Sequence, residues 1–278
     1  MDLKKYLKNQ LIADIKKYYS RNSTDYILSE EYINNICDSW LNDKKQTISV
    51  RRLDIIKKYK PESKNILDMA AGCGTFYFHG LINGFNMHGI EPENWKLELI
   101  NMKIKENNYP EKWGFNIKKS FGEKLPYEDN YFDFISSYQT LEHVNNIKKC
   151  LNEMIRTAKK NSCIHIQCPD YNSTFEGHYK IPWFLFFSKF PNLTKFYLRL
   201  LKRPTLGLNT FNYITLKKVI KILKKNHNNK IIIIDLNKQK FINKYKIKYF
   251  YKLYRLIKNM KIIFRKEFSI NIIIIKKY

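Results

Sequence analysis

The amino-acid sequence predicts an α/β fold in which helices flank a mostly parallel sheet. From residue 65 onward, short apolar runs rich in β-branched residues alternate with segments whose apolar residues recur at helical spacing. This alternation is typical of βαβ units, whose right-handed crossovers make consecutive strands parallel. In addition, the chain has 278 residues and is 44% hydrophobic, which is enough to bury one large core.

Seven segments are predicted to be strands, five of them before residue 170 and a final pair near the C-terminal end. The predicted strands are Ile66–Met69, Met87–Glu91, Phe115–Ile117, Phe132–Ser136, Cys163–Gln167, Ile231–Asp235 and Ile270–Ile275. The main helices between them are predicted at residues 94–107, 147–158 and 216–225. Together these segments predict a seven-stranded sheet.

The chain is predicted to divide into two parts. Residues 1–60 form an N-terminal helical cap, because apolar residues recur at helical spacing from Leu3 to Ile15 and again around Trp40. Residues 61–278 form the main domain. Within this domain a dense aromatic segment, residues 171–209, interrupts the alternation of strands and helices. We interpret it as an insertion on the substrate side.

The charge of the chain favours anionic partners. Lys and Arg number 51 and Asp and Glu number 25, which gives a formal net charge of +26. Such a charge attracts nucleic acid, anionic lipid and phosphorylated metabolites. Because Lys is spread along the whole chain, a bias in composition explains the charge equally well.

Cysteine usage and hydropathy indicate a cytoplasmic protein. The five cysteines form no Cys-x-x-Cys pair, so neither a disulfide framework nor a metal site is expected. Residues 1–17 lack the apolar core of a signal peptide. The apolar stretch Trp183–Leu201 is interrupted by two lysines and a proline, so it is too polar to span a membrane. It could still lie on the inner membrane surface, and peripheral contact there is an alternative.

The segment Asp68–Gly74 is predicted to be a cofactor loop. It joins a strand to a helix through two glycines, which brings bare backbone and a helix N-terminus next to a ligand. Tyr77 occupies the third position of the dinucleotide fingerprint, and no Gly-Lys-Ser or Gly-Lys-Thr follows. A pyrophosphate cradle and a P-loop are therefore disfavoured.

Two acids near this loop favour S-adenosylmethionine, which has a cationic amino group and a ribose diol. Asp68 is expected to hold the amino-acid end, directly or through water, while Gly72 and Gly74 let the chain pass beside the ligand. Glu91 ends the second strand, and an acid about 20 residues after such a loop accepts hydrogen bonds from ribose hydroxyls. The pair of acids points to this cofactor more specifically than either glycine does.

Four segments extend this pattern over about residues 60–170. They are Ile66–Gly74, Gly89–Pro92, Gly122–Tyr127, and Tyr131–Asp133 through Leu141–Val144. The chain thereby resembles the class I S-adenosylmethionine-dependent methyltransferases of the ubiquinone/menaquinone-biosynthesis type. The resemblance implies a Rossmann-like sheet, S-adenosylhomocysteine as product, and a cofactor along the C-terminal ends of the first strands. The implied cofactor contacts are Asp68, Ala70, Gly72, Gly74, Glu91, Pro92, Phe121, Gly122, Glu123, Tyr138 and Gln139.

One position departs from that family, which usually has an Asp where this chain has Phe121. The adenine amino group would then be bound by Glu123, by Ser120 or by the backbone. Phe121 could pack on the base, and a role as a core aromatic at a strand end is equally consistent with the sequence.

Two histidines are candidates for a general base. His143 follows the fourth strand, and its imidazole has a pKa suited to the task; the alternative is that Leu141–Val144 is a structural turn. His178 lies in the aromatic segment, where Tyr179 and Trp183 offer flat faces for a sugar or a base. For most of these aromatic residues, packing is the alternative role.

The absence of two motifs narrows the range of acceptors that the enzyme is expected to methylate. Ser137–Thr140 stands where an amino-methylating nucleic-acid enzyme would carry Asn-Pro-Pro-Tyr, and Cys168-Pro169 reverses the order of a cytosine-C5 nucleophile. The segment Gly177–Trp183 resembles methyltransferases encoded with surface-polysaccharide genes. We therefore expect O-methylation of a nucleotide-activated sugar, a phosphorylated metabolite or a glycan precursor of the cell surface.

Two other acceptor classes remain open. An RNA methyltransferase would use the basic surface for phosphate contacts. An enzyme acting on a quinone or a lipid-linked acceptor would use Trp183–Leu201 and the basic run Lys244–Lys261 at a membrane surface. The sequence does not predict an oligomeric state.

Overall fold

The computed structural model describes residues 2–18, 29–173, 175–176, 181–184, 186–201, 203, 205, 208, 211–226, 230–233 and 269–276. The helices are α1 (Leu3–Tyr18), α2 (Glu30–Leu41), α3 (Thr47–Tyr59), α4 (Thr75–Ile82), α5 (Asn94–Glu106), α6 (Ile147–Thr157), α7 (Pro191–Leu200) and α8 (Leu216–Asn226). The strands are β1 (Asn65–Met69), β2 (Asn86–Ile90), β3 (Ile117–Lys118), β4 (Phe132–Tyr138), β5 (Ala158–Pro169), β6 (Phe175–Glu176), β7 (Ile181–Pro182), β8 (Lys230–Ile233) and β9 (Ser269–Ile275).

Seven of these strands form one sheet in the order β3-β2-β1-β4-β5-β9-β8. Strands β1 to β5 are parallel to one another, whereas β9 runs antiparallel to both β5 and β8. The expected α/β fold with a mostly parallel sheet is confirmed. The order reverses direction between β1 and β4, so a crevice opens at the C-terminal ends of these two strands, where α/β proteins bind ligands.

Both faces of the sheet are buried. Successive side chains of a strand point to opposite faces, and β1 shows the result: Leu67 and Met69 belong to one core cluster, together with residues of α6. Ile66 belongs to a second cluster with residues of α3 and α4. Burial on both faces explains why the strands read as continuous apolar runs in the sequence.

The N-terminal helices are fastened to the sheet domain by buried polar contacts. The ammonium of Lys103, on α5, is fully buried and lies 2.5 Å from the Oδ1 of Asp43, in the loop after α2. It also donates a hydrogen bond to the carbonyl of Trp40 at 2.8 Å, and the hydroxyl of Thr75 donates to the same carbonyl at 2.5 Å. The phenol of Tyr6 donates to Glu98 at 2.6 Å. The predicted cap therefore shares its interior with the main domain.

One predicted strand is placed wrongly. The third strand begins at Ile117, while Phe115 lies in the preceding loop and is 76% exposed. A short 3-10 helix, Glu111–Gly114, occupies the chain just before it. The apolar run around Phe115 thus contains a loop residue followed by a short strand. Periodicity alone cannot distinguish the two in so short a run.

The aromatic segment after β5 contains the hairpin of β6 and β7, a 3-10 turn at Phe187–Lys189, and α7. Its role as a substrate-side insertion stays a prediction. Among the described residues, no helix is long and apolar enough to cross a membrane.

Candidate functional site

The loop after β1 makes a tight turn at the crevice. Three of its residues adopt the left-handed backbone region: Ala70 at φ 59°, Gly72 at 56° and Gly74 at 76°. The amide of Ala71 donates to the carbonyl of Ile90 at 2.8 Å, which ties the loop to β2. An L side chain in this region costs roughly 1–2 kcal/mol, so the strain at Ala70 indicates a conformation held by its surroundings.

The two glycines have different surroundings. A Cβ added to Gly72 would meet no atom within 4 Å, whereas one added to Gly74 would lie 3.0 Å from side-chain atoms of Ile100 and Phe78. Gly74 is therefore needed for packing at the start of α4. Gly72 instead borders open space on the crevice side, as expected of a residue beside a ligand.

Glu91 lies where the sequence predicts the second acid. Its side chain is buried, and its Oε2 accepts a hydrogen bond from the amide of Gly72 at 2.8 Å. Its Oε1 accepts from the amide of Glu93 at 3.1 Å and lies 3.9 Å from the ammonium of Lys96. Burial raises the pKa of Glu91, while Lys96 and the two amides oppose that shift. The carboxylate is thus fixed directly beside the open space at Gly72.

Asp68 forms a buried ion pair with Arg52 of α3. The Nη2 of Arg52 lies 2.6 Å from the Oδ1 of Asp68, and its Nε donates to the hydroxyl of Ser136 on β4 at 2.9 Å. The guanidinium also lies over the ring of Phe76, 3.6 Å from the ring centroid. Burial raises the pKa of Asp68, and the positive charge of Arg52 opposes the shift. The Oδ2 of Asp68 has no hydrogen-bond partner among the described residues, so it can accept one from a ligand.

Arg52 is a functional candidate that the sequence reasoning missed. The buried residues of α3 are Ser49, Arg52, Leu53 and Ile56, which follow the i, i+3, i+4, i+7 spacing of an inward face. An arginine within such a stripe requires a buried anion. That requirement was the signal in the sequence that could have linked Arg52 to Asp68.

The segment after β4 turns back over the end of β1. The hydroxyl of Thr140 donates to the carbonyl of Met69 at 3.2 Å, and the amide of Gln139 donates to the carbonyl of Gln167 at 2.8 Å. Gln139 is exposed and has a φ of 51°. Tyr138 is half-buried, and the guanidinium of Arg52 lies 5.8 Å from its ring centroid. Tyr138 and Gln139 thus lie at the same edge of the sheet as the loop.

His143, the first base candidate, lies four residues after Gln139. Its side chain is 48% exposed, and its Nε2 lies 4.0 Å from the Oε1 of the fully buried Glu142, which is too far for a hydrogen bond. Its ring centroid lies 5.3 Å from that of Phe211. Asn212 fixes the same turn from outside: its amide donates to the carbonyl of Glu142 at 2.6 Å, and its side chain donates to the carbonyl of Val144.

The predicted adenine segment, Ser120–Glu123, lies partly in solvent. Phe121 is 59% exposed, which is unlike a core aromatic and leaves its ring available for stacking. The Oε1 of Glu123 accepts a hydrogen bond from the amide of Asn146 at 2.9 Å, at the start of α6. Gly122 is packed so closely that an added Cβ would lie 3.1 Å from the Sγ of Cys150. Pro92 is half-buried, immediately after Glu91.

Of the predicted substrate residues, only Trp183 is described. It is 3% exposed and stacks on Tyr213 with ring centroids 5.9 Å apart, inside the main core cluster. These contacts belong to a packed core side chain, and its contact with substrate stays a prediction. His178 and Tyr179 lie outside the described residues.

Cysteine chemistry is not favoured at this site. Burial raises the pKa of Cys73, in the loop, to about 12 and that of Cys168, at the end of β5, well above its usual value. Both thiols therefore stay protonated and are poor nucleophiles. In the part of the chain that the structure describes, no three His, Cys, Asp or Glu side chains are grouped as metal ligands.

Comparisons with known proteins agree with this geometry. Residues 67–166 match a family described as "Methyltransferase domain". A norajmaline N-methyltransferase of Rauvolfia serpentina is 28% identical over 111 residues, which are 40% of this chain and 37% of that protein. The chain therefore aligns with well under two thirds of that relative's length.

Two solved structures share the fold. A methyltransferase from Archaeoglobus fulgidus, described as dependent on S-adenosylmethionine, superposes with a TM-score of 0.50 and 18% identity over 82% of this chain and 93% of that one. Phosphoethanolamine N-methyltransferase 2 of Haemonchus contortus, in complex with S-adenosylmethionine, superposes with a TM-score of 0.52 and 14% identity over 100% of this chain and 60% of that one. The family match over residues 67–166 agrees with the predicted methyltransferase domain, and the two solved structures show the fold that this prediction implies.

Proposed function

We propose that this chain, which carries the domain and the fold of an S-adenosylmethionine-dependent methyltransferase, methylates an oxygen of a small anionic acceptor. The acceptor would be a nucleotide-activated sugar, a phosphorylated metabolite or a glycan precursor of the cell surface. The observation that carries the cofactor assignment is the contact between the Oε2 of Glu91 and the amide of Gly72, beside open space. A fixed anionic acceptor group thus lies next to open space beside the loop, where a ligand has room.

The described residues fit the cofactor in two further respects. The unpaired, buried Oδ2 of Asp68 can accept a hydrogen bond from an ammonium group. Arg52 neutralises Asp68, so the acid does not repel the carboxylate of the same amino-acid end. Glu91 can accept hydrogen bonds from ribose hydroxyls in the open space beside Gly72. When bound, the cofactor supplies an electrophilic methyl group on a sulfonium.

Transfer to a hydroxyl requires a base for the proton, and alignment of the acceptor contributes much of the rate. His143 is half-exposed on the turn after β4, and carbonyls of this turn accept hydrogen bonds from Asn212. We propose that its imidazole accepts the proton of the acceptor hydroxyl. The net charge of +26 favours encounter with an anionic molecule.

An amine acceptor is the second candidate, because one similar protein is named as an N-methyltransferase of norajmaline. An amine already carries its lone pair when neutral, so it would depend less on His143. RNA and a quinone or lipid-linked acceptor remain further alternatives.

The test has two stages. Calorimetric titration with S-adenosylhomocysteine checks the cofactor, and we expect binding in the micromolar range or tighter; no binding would refute the assignment. Transfer of a tritiated methyl group is then measured with separate pools of nucleotide sugars, phosphorylated metabolites, phosphoethanolamine, RNA and lipid vesicles. Label in the phosphoethanolamine, RNA or lipid pool alone would overturn the proposed acceptor while leaving the enzyme class intact.

A further inference from the structure

The segment from Phe184 to Leu200 presents a row of large apolar side chains to solvent. Six of them are between 42% and 69% exposed: Phe184, Phe186, Phe190, Leu193, Phe196 and Leu200. We call this set the aromatic face. Contiguous exposed apolar groups of this kind mark an interaction site more often than a plain protein surface.

Helix α7 is apolar on two sides. Its inner side is buried through Thr194 and Leu198, both fully inaccessible, and the hydroxyl of Thr194 donates to the carbonyl of Phe187 at 2.8 Å. Leu193, Phe196 and Leu200 follow the i, i+3, i+7 spacing of a second stripe. The inner side is sufficient to dock the helix, so the outer stripe is not required for packing among the described residues.

The aromatic rings before α7 are already ordered. The rings of Phe184 and Phe186 stack, with centroids 5.7 Å apart and an interplanar angle of 15°. The 3-10 turn Phe187–Lys189 holds them, since the amide of Lys189 donates to the carbonyl of Phe186 at 2.9 Å. Little conformational entropy is then lost when the two rings enter an apolar environment.

The stretch of sequence that contains the aromatic face carries charge of one sign. Between residues 177 and 234 the sequence contains 12 Lys and Arg residues and no Asp or Glu. On α7 itself, Lys195 and Arg199 are one turn apart, next to the apolar stripe. An apolar stripe beside a cationic stripe is the pattern of a helix that lies in a membrane interface.

We propose that the aromatic face docks onto the surface of an anionic lipid bilayer. Phe and Leu side chains would enter the boundary of the headgroups, and Lys189, Lys195 and Arg199 would contact anionic headgroups. A second copy of the chain is a poorer occupant, because pairing the same surface would bring like charges together. Docking on lipid is independent of which acceptor is methylated.

The experiment is co-sedimentation of the full chain with vesicles of phosphatidylcholine alone and with phosphatidylglycerol added to about one third. Binding should occur mainly with the anionic vesicles and should weaken as salt rises. The double variant Phe196→Ser with Leu200→Ser should lower the partition coefficient at least tenfold. Phe115→Ser, which alters a residue outside the segment that is at least as exposed, should leave it unchanged.

Charge is tested separately. The double variant Lys195→Glu with Arg199→Glu should reduce binding to anionic vesicles about tenfold or more, whereas Lys57→Glu with Lys58→Glu, on α3, should have a much smaller effect. If the two double variants reduce vesicle binding equally, the net charge of the protein causes the binding, and docking through the aromatic face is overturned.

Two other results would also overturn it. If Phe196→Ser with Leu200→Ser changes the mass in sedimentation equilibrium but not vesicle binding, the face joins two copies of the chain. If the same variant lowers the thermal midpoint as a core substitution would, with vesicle binding unchanged, another segment of the chain covers the face. Unchanged folding with weaker vesicle binding is the result that supports a lipid surface.

Discussion

Arg52 and Asp68 are 16 residues apart in sequence and form an ion pair of 2.6 Å in the interior. The pair joins α3, in the N-terminal helices, to the end of β1, where the cofactor loop begins. The guanidinium of Arg52 also donates hydrogen bonds to the hydroxyl and the carbonyl of Ser136, which lies on β4. One guanidinium thus connects α3 with β1 and β4, the two strands at whose ends the crevice opens.

Replacing Arg52 should destabilise the fold strongly. In Arg52→Met the carboxylate of Asp68 stays buried without a counter-charge, which costs about 3–5 kcal/mol. The free energy of unfolding in denaturant should fall by that amount, and Arg52→Met with Asp68→Asn should recover part of it. Arg51→Met, at the exposed neighbouring position, is the control. Equal stability of the two single variants would show that the buried pair contributes nothing.

Gly72 and Gly84 offer a matched pair of glycine substitutions. Both have positive φ, 56° and 83°, and an added Cβ would meet no atom within 4 Å at either position. Each change to Ala should therefore cost about 1 kcal/mol of stability. Only Gly72→Ala should also weaken binding of S-adenosylhomocysteine in calorimetry, by tenfold or more, because its methyl group enters the ligand space. Equal affinities of the two variants would contradict the position of the site.

Glu91 is expected to bind the cofactor through its charge. A hydrogen bond to a charged group is worth about 1.5–3 kcal/mol, so Glu91→Gln should raise the Kd of S-adenosylhomocysteine about 10- to 100-fold. Glu93→Gln is the control, because Glu93 contacts the same lysine, Lys96, but is more exposed. Circular dichroism of both variants should match that of the unchanged protein. An unchanged Kd in Glu91→Gln would remove the ribose assignment.

His143 should affect turnover and not cofactor binding. If it accepts the proton of a hydroxyl, His143→Gln should lower kcat by about 100-fold or more, while the Kd of S-adenosylhomocysteine and the thermal midpoint stay the same. The loss should shrink at high pH, where hydroxide replaces the base. Full activity in the variant would show that Leu141–Val144 is a structural turn only.

Two buried histidines predict a loss of stability in acid. Burial lowers the pKa of both His88 and His165 from 6.5 to about 4. Below pH 6.5 the unfolded chain therefore binds protons that the folded chain excludes, so stability is complete above pH 6.5 and falls as the pH drops towards 4. Each histidine contributes up to about 3 kcal/mol to this loss.

The variant His88→Phe tests the source of that loss. The ring of His88 lies edge-on to Tyr127 and Phe132, so a phenyl ring fits the same aromatic surroundings. Unfolding in guanidinium chloride from pH 7.5 to 4.5 should then show a shallower decline. His143→Gln is the control, and a similar flattening in that variant would mean that His88 is not responsible.

The sequence predicts the cofactor loop well because its signals are local. The β1 strand, the glycine turn and the acid after β2 all lie between residues 65 and 91, and parallel strands bring their C-terminal ends to one edge of the sheet. The contact between Gly72 and Glu91 follows from that arrangement. The strand limits are less precise, as Phe115 shows, since a solvent-facing aromatic reads like a strand residue.

Contacts between distant segments are not readable in this way. Arg52 reaches Asp68 only because α3 packs across the sheet, and Asn212 reaches Val144 from 68 residues away. For Trp183 the sequence allows both a flat face for a substrate and a packing role, and the structure shows that its ring lies in the core. Composition gives the number of aromatic rings, but only the tertiary structure decides which of them are covered.

The buried contacts of the N-terminal helices limit how the protein can be divided. A chain shortened to residues 61–278 would correspond to the predicted main domain. It would leave the ammonium of Lys103 without Asp43 and the carboxylate of Asp68 without Arg52. Two opposite, isolated charges would then lie in an apolar interior, and such charges are relieved only by unfolding or by a change of protonation. Proteolysis after residue 60 should therefore yield an aggregating fragment and not a smaller enzyme.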